Sequence, residues 1–217
     1  MHREGYAVVL ALVIVALLLT LSYRTLGGGV WLRSLSAVLW AGAAFSVFFF
    51  RDPEREIPSG KGLLVAPADG KVIAIEDIEE QEFLGGPAQR ISIFLSVFNV
   101  HVNRVPVEGM VSLCRYQAGR FHVASLPEAS VENEQSVIGI ESAWGKVLFK
   151  QIAGLIARRI VCDLRAGHRV QRGERFGIIK FGSRMEVYLP REVEIKVRLH
   201  DKVRAGESIL GEFKNAR

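Results

Sequence analysis

The polarity of the chain changes abruptly after its first quarter. From Tyr6 to Tyr23, and again from Ser34 to Phe50, no residue carries a charge, and each run is close to the roughly 17 to 25 residues that a helix needs to cross hydrocarbon. Between them stands Arg24-Thr-Leu-Gly-Gly-Gly-Val-Trp-Leu-Arg33. Three glycines interrupt a helix, and two arginines with Trp31 suit a turn at a membrane interface. The pattern predicts a helical hairpin over residues 1–50, which spans the membrane or, given Ser34, Ser36, Gly42 and Ser46 in its second arm, dips into one leaflet. A cleaved signal peptide fits less well, because Arg24 occupies the place of a small-residue cleavage site and a second apolar run follows at once.

Two prolines and five charges in Phe50-Arg-Asp-Pro-Glu-Arg-Glu-Ile-Pro58 cannot continue a membrane helix, so a second domain is expected over residues 51–217. Short apolar runs follow at close spacing: Leu63 to Ala66, Val72 to Ile75, Ile91 to Phe98, Val147 to Ile152 and Met185 to Leu189. Val193, Ile195, Val197 and Leu199 alternate with Glu194, Lys196 and Arg198, the period of a half-buried strand. One helix is expected, roughly Ala153 to Leu164. Val170-Gln-Arg-Gly-Glu-Arg-Phe-Gly177 is repeated, with one extra residue, as Val203-Arg-Ala-Gly-Glu-Ser-Ile-Leu-Gly211. Each copy reads as strand, tight Gly-Glu turn and strand. With Ala66-Pro-Ala-Asp-Gly-Lys-Val72 they resemble the hairpins of lipoyl and biotinyl carriers. The expected class is therefore mainly β (α+β): a barrel-sandwich-hybrid-like domain preceded by a membrane-embedded or transmembrane hairpin.

Charge narrows the partners. The chain holds 28 Lys+Arg against 23 Asp+Glu, and its first 50 residues contribute only Arg3, Glu4, Arg24 and Arg33. A pI of 9.4 without a basic stripe, interleaved aromatics or a recognition motif argues against nucleic acid and for mild attraction to an anionic membrane. Arg3, Arg51 and Arg55 flank the open ends of the hairpin against Arg24 and Arg33 at its tip, which weakly places the large domain on the cytoplasmic side of the inner membrane. Cys114 and Cys162, with no CxxC and no ligand-spaced His, read as buried thiols in a reducing compartment, and no metal site is expected.

Candidate chemistry sits in three places. Phe181-Gly182-Ser183-Arg184-Met185 sets a nucleophile between a glycine and a strand, which suits attack by the serine on the preceding carbonyl, although a plain β-turn Gly-Ser is the commoner meaning of that dipeptide. In Phe94-Leu-Ser-Val-Phe-Asn-Val-His101-Val-Asn103-Arg104-Val-Pro106, alternation puts Asn99, His101 and Asn103 on one face of an otherwise apolar strand, where they need partners or a purpose. Asp69, before Gly70, is better explained by its residues alone as turn chemistry, where Asp is favoured anyway. Glu132-Asn-Glu134 reads as solvated loop, and His2, His122, His168 and His200 lack supporting residues.

Taken in order, Phe50-Arg-Asp-Pro-Glu-Arg, Ala66-Pro-Ala-Asp-Gly-Lys-Val, Phe94 to Pro106, Glu132-Asn-Glu, Gln151 to Ile160 and Arg172 to Arg184 resemble the short form of the phosphatidylserine decarboxylase proenzymes. Six ordered blocks over residues 50–190 are far more specific than any one. The resemblance implies a pyruvoyl-dependent decarboxylase that converts phosphatidylserine to phosphatidylethanolamine and carbon dioxide through a Schiff base. It implies self-cleavage between Gly182 and Ser183 into a large chain (1–182) and a small chain (183–217) that stay associated, Ser183 becoming the pyruvoyl cofactor. It nominates Asp69 with His101 to activate Ser183 and His101 to protonate the product. Arg184, Arg104 and Asn103 are candidates for holding the headgroup of a membrane phosphatidylserine, and a homo-oligomer is compatible with this reading. In the longer branch of the family Thr follows the serine and a second His stands three places after the first; here those places hold Arg184 and Arg104. Two other readings stay open: a non-catalytic, membrane-tethered carrier or binding module, and a decarboxylase of another serine phospholipid such as archaetidylserine.

Overall fold

The computed structural model describes residues 1–27, 29–120, 122, 129–154, 159–180 and 183–214. The chain forms two compact units, Met1–Pro53 and Glu54–Arg217. In the first, α1 (Tyr6–Leu26) and α2 (Val30–Phe49) pack on each other. Gly27 closes α1 in the left-handed region at φ 69°, which glycine adopts at no steric cost. Thr20 and Ser36 share a 2.7 Å hydrogen bond between the two helices, and the Trp40 indole donates to Thr20 Oγ1 at 3.2 Å. Such contacts hold apolar helices together where water cannot. Both helices are long and apolar enough to cross a membrane.

The second unit is built of strands: β1 (Leu63–Val65), β2 (Gly70–Glu80), β3 (Gly86–Leu95), β4 (Val102–Arg104), β5 (Gly109–Gln117), β6 (Gln135–Glu141), β7 (Lys146–Ile152), β8 (Ile160–Cys162), β9 (Arg169–Val170), β10 (Arg175–Ile179), β11 (Ser183–Pro190), β12 (Val193–Ile195), β13 (Lys202–Val203) and β14 (Ile209–Phe213). One short helix, Ala129–Glu132, precedes β6. An eight-stranded antiparallel sheet runs β13-β2-β3-β11-β7-β6-β5-β9, and two small sheets, β1-β14-β12 and β4-β10-β8, complete the unit. Ile91, Ile93, Leu95, Ile138, Ile140, Phe149, Met185 and Val187 fill the inner face of the large sheet and meet Leu64, Phe176 and Leu210 from the small ones. The mainly β class with N-terminal helices is as expected.

The repeat extends beyond the two Gly-Glu turns. Val65-Ala-Pro-Ala-Asp-Gly-Lys-Val72 has a counterpart in Arg104-Val-Pro-Val-Glu-Gly-Met-Val111, and the copies bond reciprocally: Val65 N donates to Pro106 O and Arg104 N to Pro67 O, both at 2.9 Å. Likewise Gly206 N donates to Ala66 O and Gly173 N to Val105 O, both at 2.8 Å. Gly173 and Gly206 have φ of 77° and 78°, so both turns require glycine. The repeats are not self-paired hairpins, however. β9 pairs with β5 while β10 pairs with β4 and β8, and β13 pairs with β2 while β14 pairs with β1 and β12, so each turn passes the chain from the large sheet to a small one.

The helix expected over Ala153 to Leu164 is absent from its described part. Residues 155–158 lie outside the described residues, and Ile160–Cys162 is a strand on β10. The β-branched pair Ile160-Val161 fits a pleated surface, and that pairing overrides the helical spacing of the apolar residues. Cys114 and Cys162, distant in sequence, are half-buried free thiols, and Cys114 Sγ donates to the Leu164 carbonyl oxygen at 3.2 Å. Burial pushes the Cys162 thiol up to about 12. A raised thiol pKa keeps the proton on the native protein through the alkaline range. Alkylation of Cys162 in the native protein at pH 8 is therefore expected to run at least about 100-fold slower than that of an unfolded thiol, read by mass spectrometry of the labelled peptide.

Candidate active site

Ser183 opens β11, the strand held on both sides by β3 and β7, with Leu95 as its partner on β3. Successive side chains alternate. Ser183 shares the inner side with Met185 and Val187, while Tyr188 belongs to a separate apolar cluster on the other side. Ser183 is fully buried, and its Oγ has no hydrogen-bond partner among the described residues. An unpartnered buried hydroxyl costs about 1–3 kcal/mol, so its presence at a strand start calls for a function. Gly182, the other half of the expected cleavage site, lies outside the described residues.

The inner side carries a second unmet group. Asn103 on β4 is fully buried; its Oδ1 accepts from Gln151 Nε2 at 2.9 Å, and its Nδ2 has no partner among the described residues. Gln151 on β7 stands opposite Met185 of β11, which brings it to the same inner side as Ser183, and its Oε1 is also without a partner among the described residues. Ser183 Oγ, Asn103 Nδ2 and Gln151 Oε1 thus supply a nucleophile, a donor and an acceptor in water-excluded surroundings. Gln151 was not among the sequence candidates, although its place as the polar residue between Phe149 and Ala153 on an inward-facing register marks it.

His101 is fully buried just before β4, and its Nδ1 lies 2.9 Å from the Asn99 carbonyl oxygen. A carbonyl can only accept, so Nδ1 carries the hydrogen and Nε2 is the nitrogen able to take a proton. Asp69 is engaged elsewhere: Arg55 Nη2 donates to both carboxylate oxygens at 3.0 and 2.9 Å, and Ala205 N donates to Oδ1 at 2.8 Å. The Asp69 turn and β4 are nevertheless joined directly, by the bond from Arg104 N to Pro67 O.

The phosphatidylserine decarboxylase family model matches residues 43–211. The chain is 53% identical over 170 residues to a phosphatidylserine decarboxylase proenzyme of Syntrophus aciditrophicus, covering 78% of this chain and 80% of that protein. It is 45% identical over 210 residues to one of Symbiobacterium thermophilum, covering 96% and 94%, and 43% identical over 213 residues to one of Nitrosomonas eutropha, covering 98% and 94%. The chain belongs to the phosphatidylserine decarboxylase family.

Within this family member the two arginines expected at the headgroup face away from the inner side. Arg184 Nη2 donates to Ser130 Oγ at 2.7 Å, and its Nε lies 3.4 Å from Glu186 Oε1. Glu186, fully buried, also accepts from Ser130 Oγ and from Tyr188 Oη, both at 2.6 Å. Burial pulls the Arg184 pKa down and pushes that of Tyr188 well above its usual range. Arg184 borders a cavity of about 360 Å³ on the outer face, together with Arg90 and Glu76. Arg104 Nη1 donates to the Gly173 carbonyl at 2.9 Å, beneath the repeated turn. Of the three expected headgroup residues, Asn103 alone stands on the Ser183 side. Glu132-Asn-Glu134 is not solvated loop throughout: Asn133 is fully buried and its Nδ2 ties the carbonyls of His122 and Ala153 together.

Proposed function

We propose that the chain is a self-processing, pyruvoyl-dependent decarboxylase that converts phosphatidylserine to phosphatidylethanolamine and carbon dioxide at the cytoplasmic face of the inner membrane. Membership of the family supports the reaction. The observation that carries the self-processing is the buried Ser183 hydroxyl at the head of β11, which has no partner among the described residues.

In this reading His101 Nε2 takes the Ser183 hydroxyl proton, and Oγ attacks the Gly182 carbonyl carbon. The peptide C–N bond breaks as the ester C–O bond forms, and His101 returns the proton to the freed amine. Removal of the Ser183 α-proton then breaks the Cβ–Oγ bond, releasing the Gly182 carboxylate, and water displaces ammonia from the resulting dehydroalanine. A pyruvoyl group left at position 183 would be held covalently at the head of β11 and would supply a carbonyl conjugated to an amide, the electron sink that decarboxylation of an amino-acid headgroup requires. Asn103 Nδ2 donates to the headgroup, and His101 delivers a proton to Cα. Asp69 acts as a positioning residue: fixed by Arg55 and Ala205, it holds the turn that receives Arg104 and so sets the strand following His101.

Cleavage need not release the small chain. β11 is bonded to β3 and β7, β13 to β2, and β14 to β1, all from the large chain. The activity is tested with phosphatidylserine labelled at the serine carboxyl: the purified full chain is expected to release labelled carbon dioxide and leave phosphatidylethanolamine. Failure to release it from phosphatidylserine, with release from an ether-linked serine phospholipid, would transfer the assignment to that substrate.

A further inference from the structure

Strand register places a basic and aromatic surface at the Ser183 end of the large sheet. Lys202 of β13 is directly opposite Lys71 of β2, Lys71 is opposite Phe94 of β3, and Phe94 is opposite Arg184. Both lysines are exposed, and neither has an ion-pair partner among the described residues. Like charges directly opposed across strands are destabilising, at a spacing of about 5 Å. The carboxylates near the pair in sequence are bonded to other groups, Asp69 to Arg55 and Ala205 N and Asp201 to Arg198 N at 2.8 Å, and neither forms an ion pair with the lysines among the described residues. Beyond the same end of β3, a turn from Ser96 to Asn99, closed by Asn99 N to Ser96 O and by Ser96 N to Asn99 Oδ1, both at 2.9 Å, presents Phe98 with 67% of its surface exposed. Ser183 pairs with Leu95, three residues before Phe98.

We infer that this end of the sheet docks on an anionic lipid surface, with Lys71 and Lys202 taking the lipid charge and Phe98 entering the headgroup boundary. The inference rests on the proposed lipid substrate, which stays in the bilayer while its headgroup reacts. An exposed lysine pair without an ion-pair partner among the described residues is complementary to anionic headgroups, and an exposed Phe ring adds apolar area that the headgroup/acyl boundary can bury. The apolar hairpin tethers the protein, whereas this surface orients the catalytic unit toward the bilayer.

The test uses the full chain reconstituted in phosphatidylcholine vesicles holding a fixed small fraction of phosphatidylserine, with or without phosphatidylglycerol. Phosphatidylglycerol is expected to speed turnover by the wild type. Lys71→Glu/Lys202→Glu is expected to lose that acceleration, roughly fivefold per lysine, while keeping wild-type self-cleavage and turnover of monomeric short-chain phosphatidylserine. Lys71→Gln/Lys202→Gln should fall between. Independently of activity, a nitroxide on Phe98→Cys, in a background with Cys114→Ser and Cys162→Ser, should collide with oxygen dissolved in lipid rather than with an aqueous nickel chelate. Undiminished acceleration in the charge-reversed protein, or a nitroxide that meets only the aqueous reagent, overturns the inference. A wild type that docks by the nitroxide measurement but releases no carbon dioxide instead overturns the proposed reaction.

Discussion

Ser183→Ala is expected to stay a single full-length chain and to have no measurable decarboxylase activity. The substitution removes the only atom at that position able to form the ester, and with it the source of the carbonyl on which turnover depends. It also removes a buried hydroxyl that has no partner among the described residues, so the variant should be no less stable than the uncleaved wild type, within about 1 kcal/mol. Gel mobility, carbon dioxide release and a denaturation midpoint measured on one preparation separate these effects. Self-cleavage of the variant at the wild-type rate would show that Ser183 is not the nucleophile.

The second large effect belongs to His101. Its Nδ1 is oriented by the Asn99 carbonyl, and a positioned proton-transfer group typically contributes 10² to 10⁴ in rate. His101→Ala is expected to slow cleavage and turnover within about that range, and imidazole added to the solution should restore part of each, because the substitution leaves a cavity of the ring's own shape. His101→Gln, which keeps much of the volume, should be equally slow and should not respond to imidazole. A rescue seen in turnover but not in cleavage would confine His101 to the later proton delivery. An unaffected rate in both would remove it from the site.

How far the residues announced this arrangement depends on the scale of the cue. The hairpin was legible because two long uncharged runs and a glycine-rich break are local signals, and α1 and α2 fall within a few residues of them. Strand content was partly legible from alternation: of the run Val193 to Leu199, Val193 to Ile195 is a strand, and the chain leaves the sheet after it to turn at Leu199 and His200. Strand partners were not, because register across the eight-stranded sheet is set by contacts far apart in sequence. The Gly-Glu repeats therefore looked like hairpins until their strands were seen to join different sheets. At the site, Ser183, His101 and Asn103 stood out as polar residues beside apolar runs. Gln151 was hidden by the apolar run that carries it, and its pairing with Asn103 is visible only once β7 and β4 are brought together. Arg184 and Arg104 were read by charge alone, and the alternation of β11 with the bonds from Arg184 to Ser130 and from Arg104 to Gly173 shows where they point. Asp69 was read through its family motif, while its bonds to Arg55 and Ala205 needed coordinates because Arg55 precedes it by a loop and Ala205 lies in the last turn of the repeat.

The central claim, that the chain makes its own cofactor from Ser183, is tested most directly by intact mass spectrometry of the purified full-length protein. The account predicts two species, residues 1–182 with an ordinary carboxyl end and residues 183–217 about 17 Da lighter than the serine-started chain, the mass of the ammonia lost in forming the carbonyl. A single chain of full mass in an active preparation, or a small chain that retains the serine mass, would contradict it.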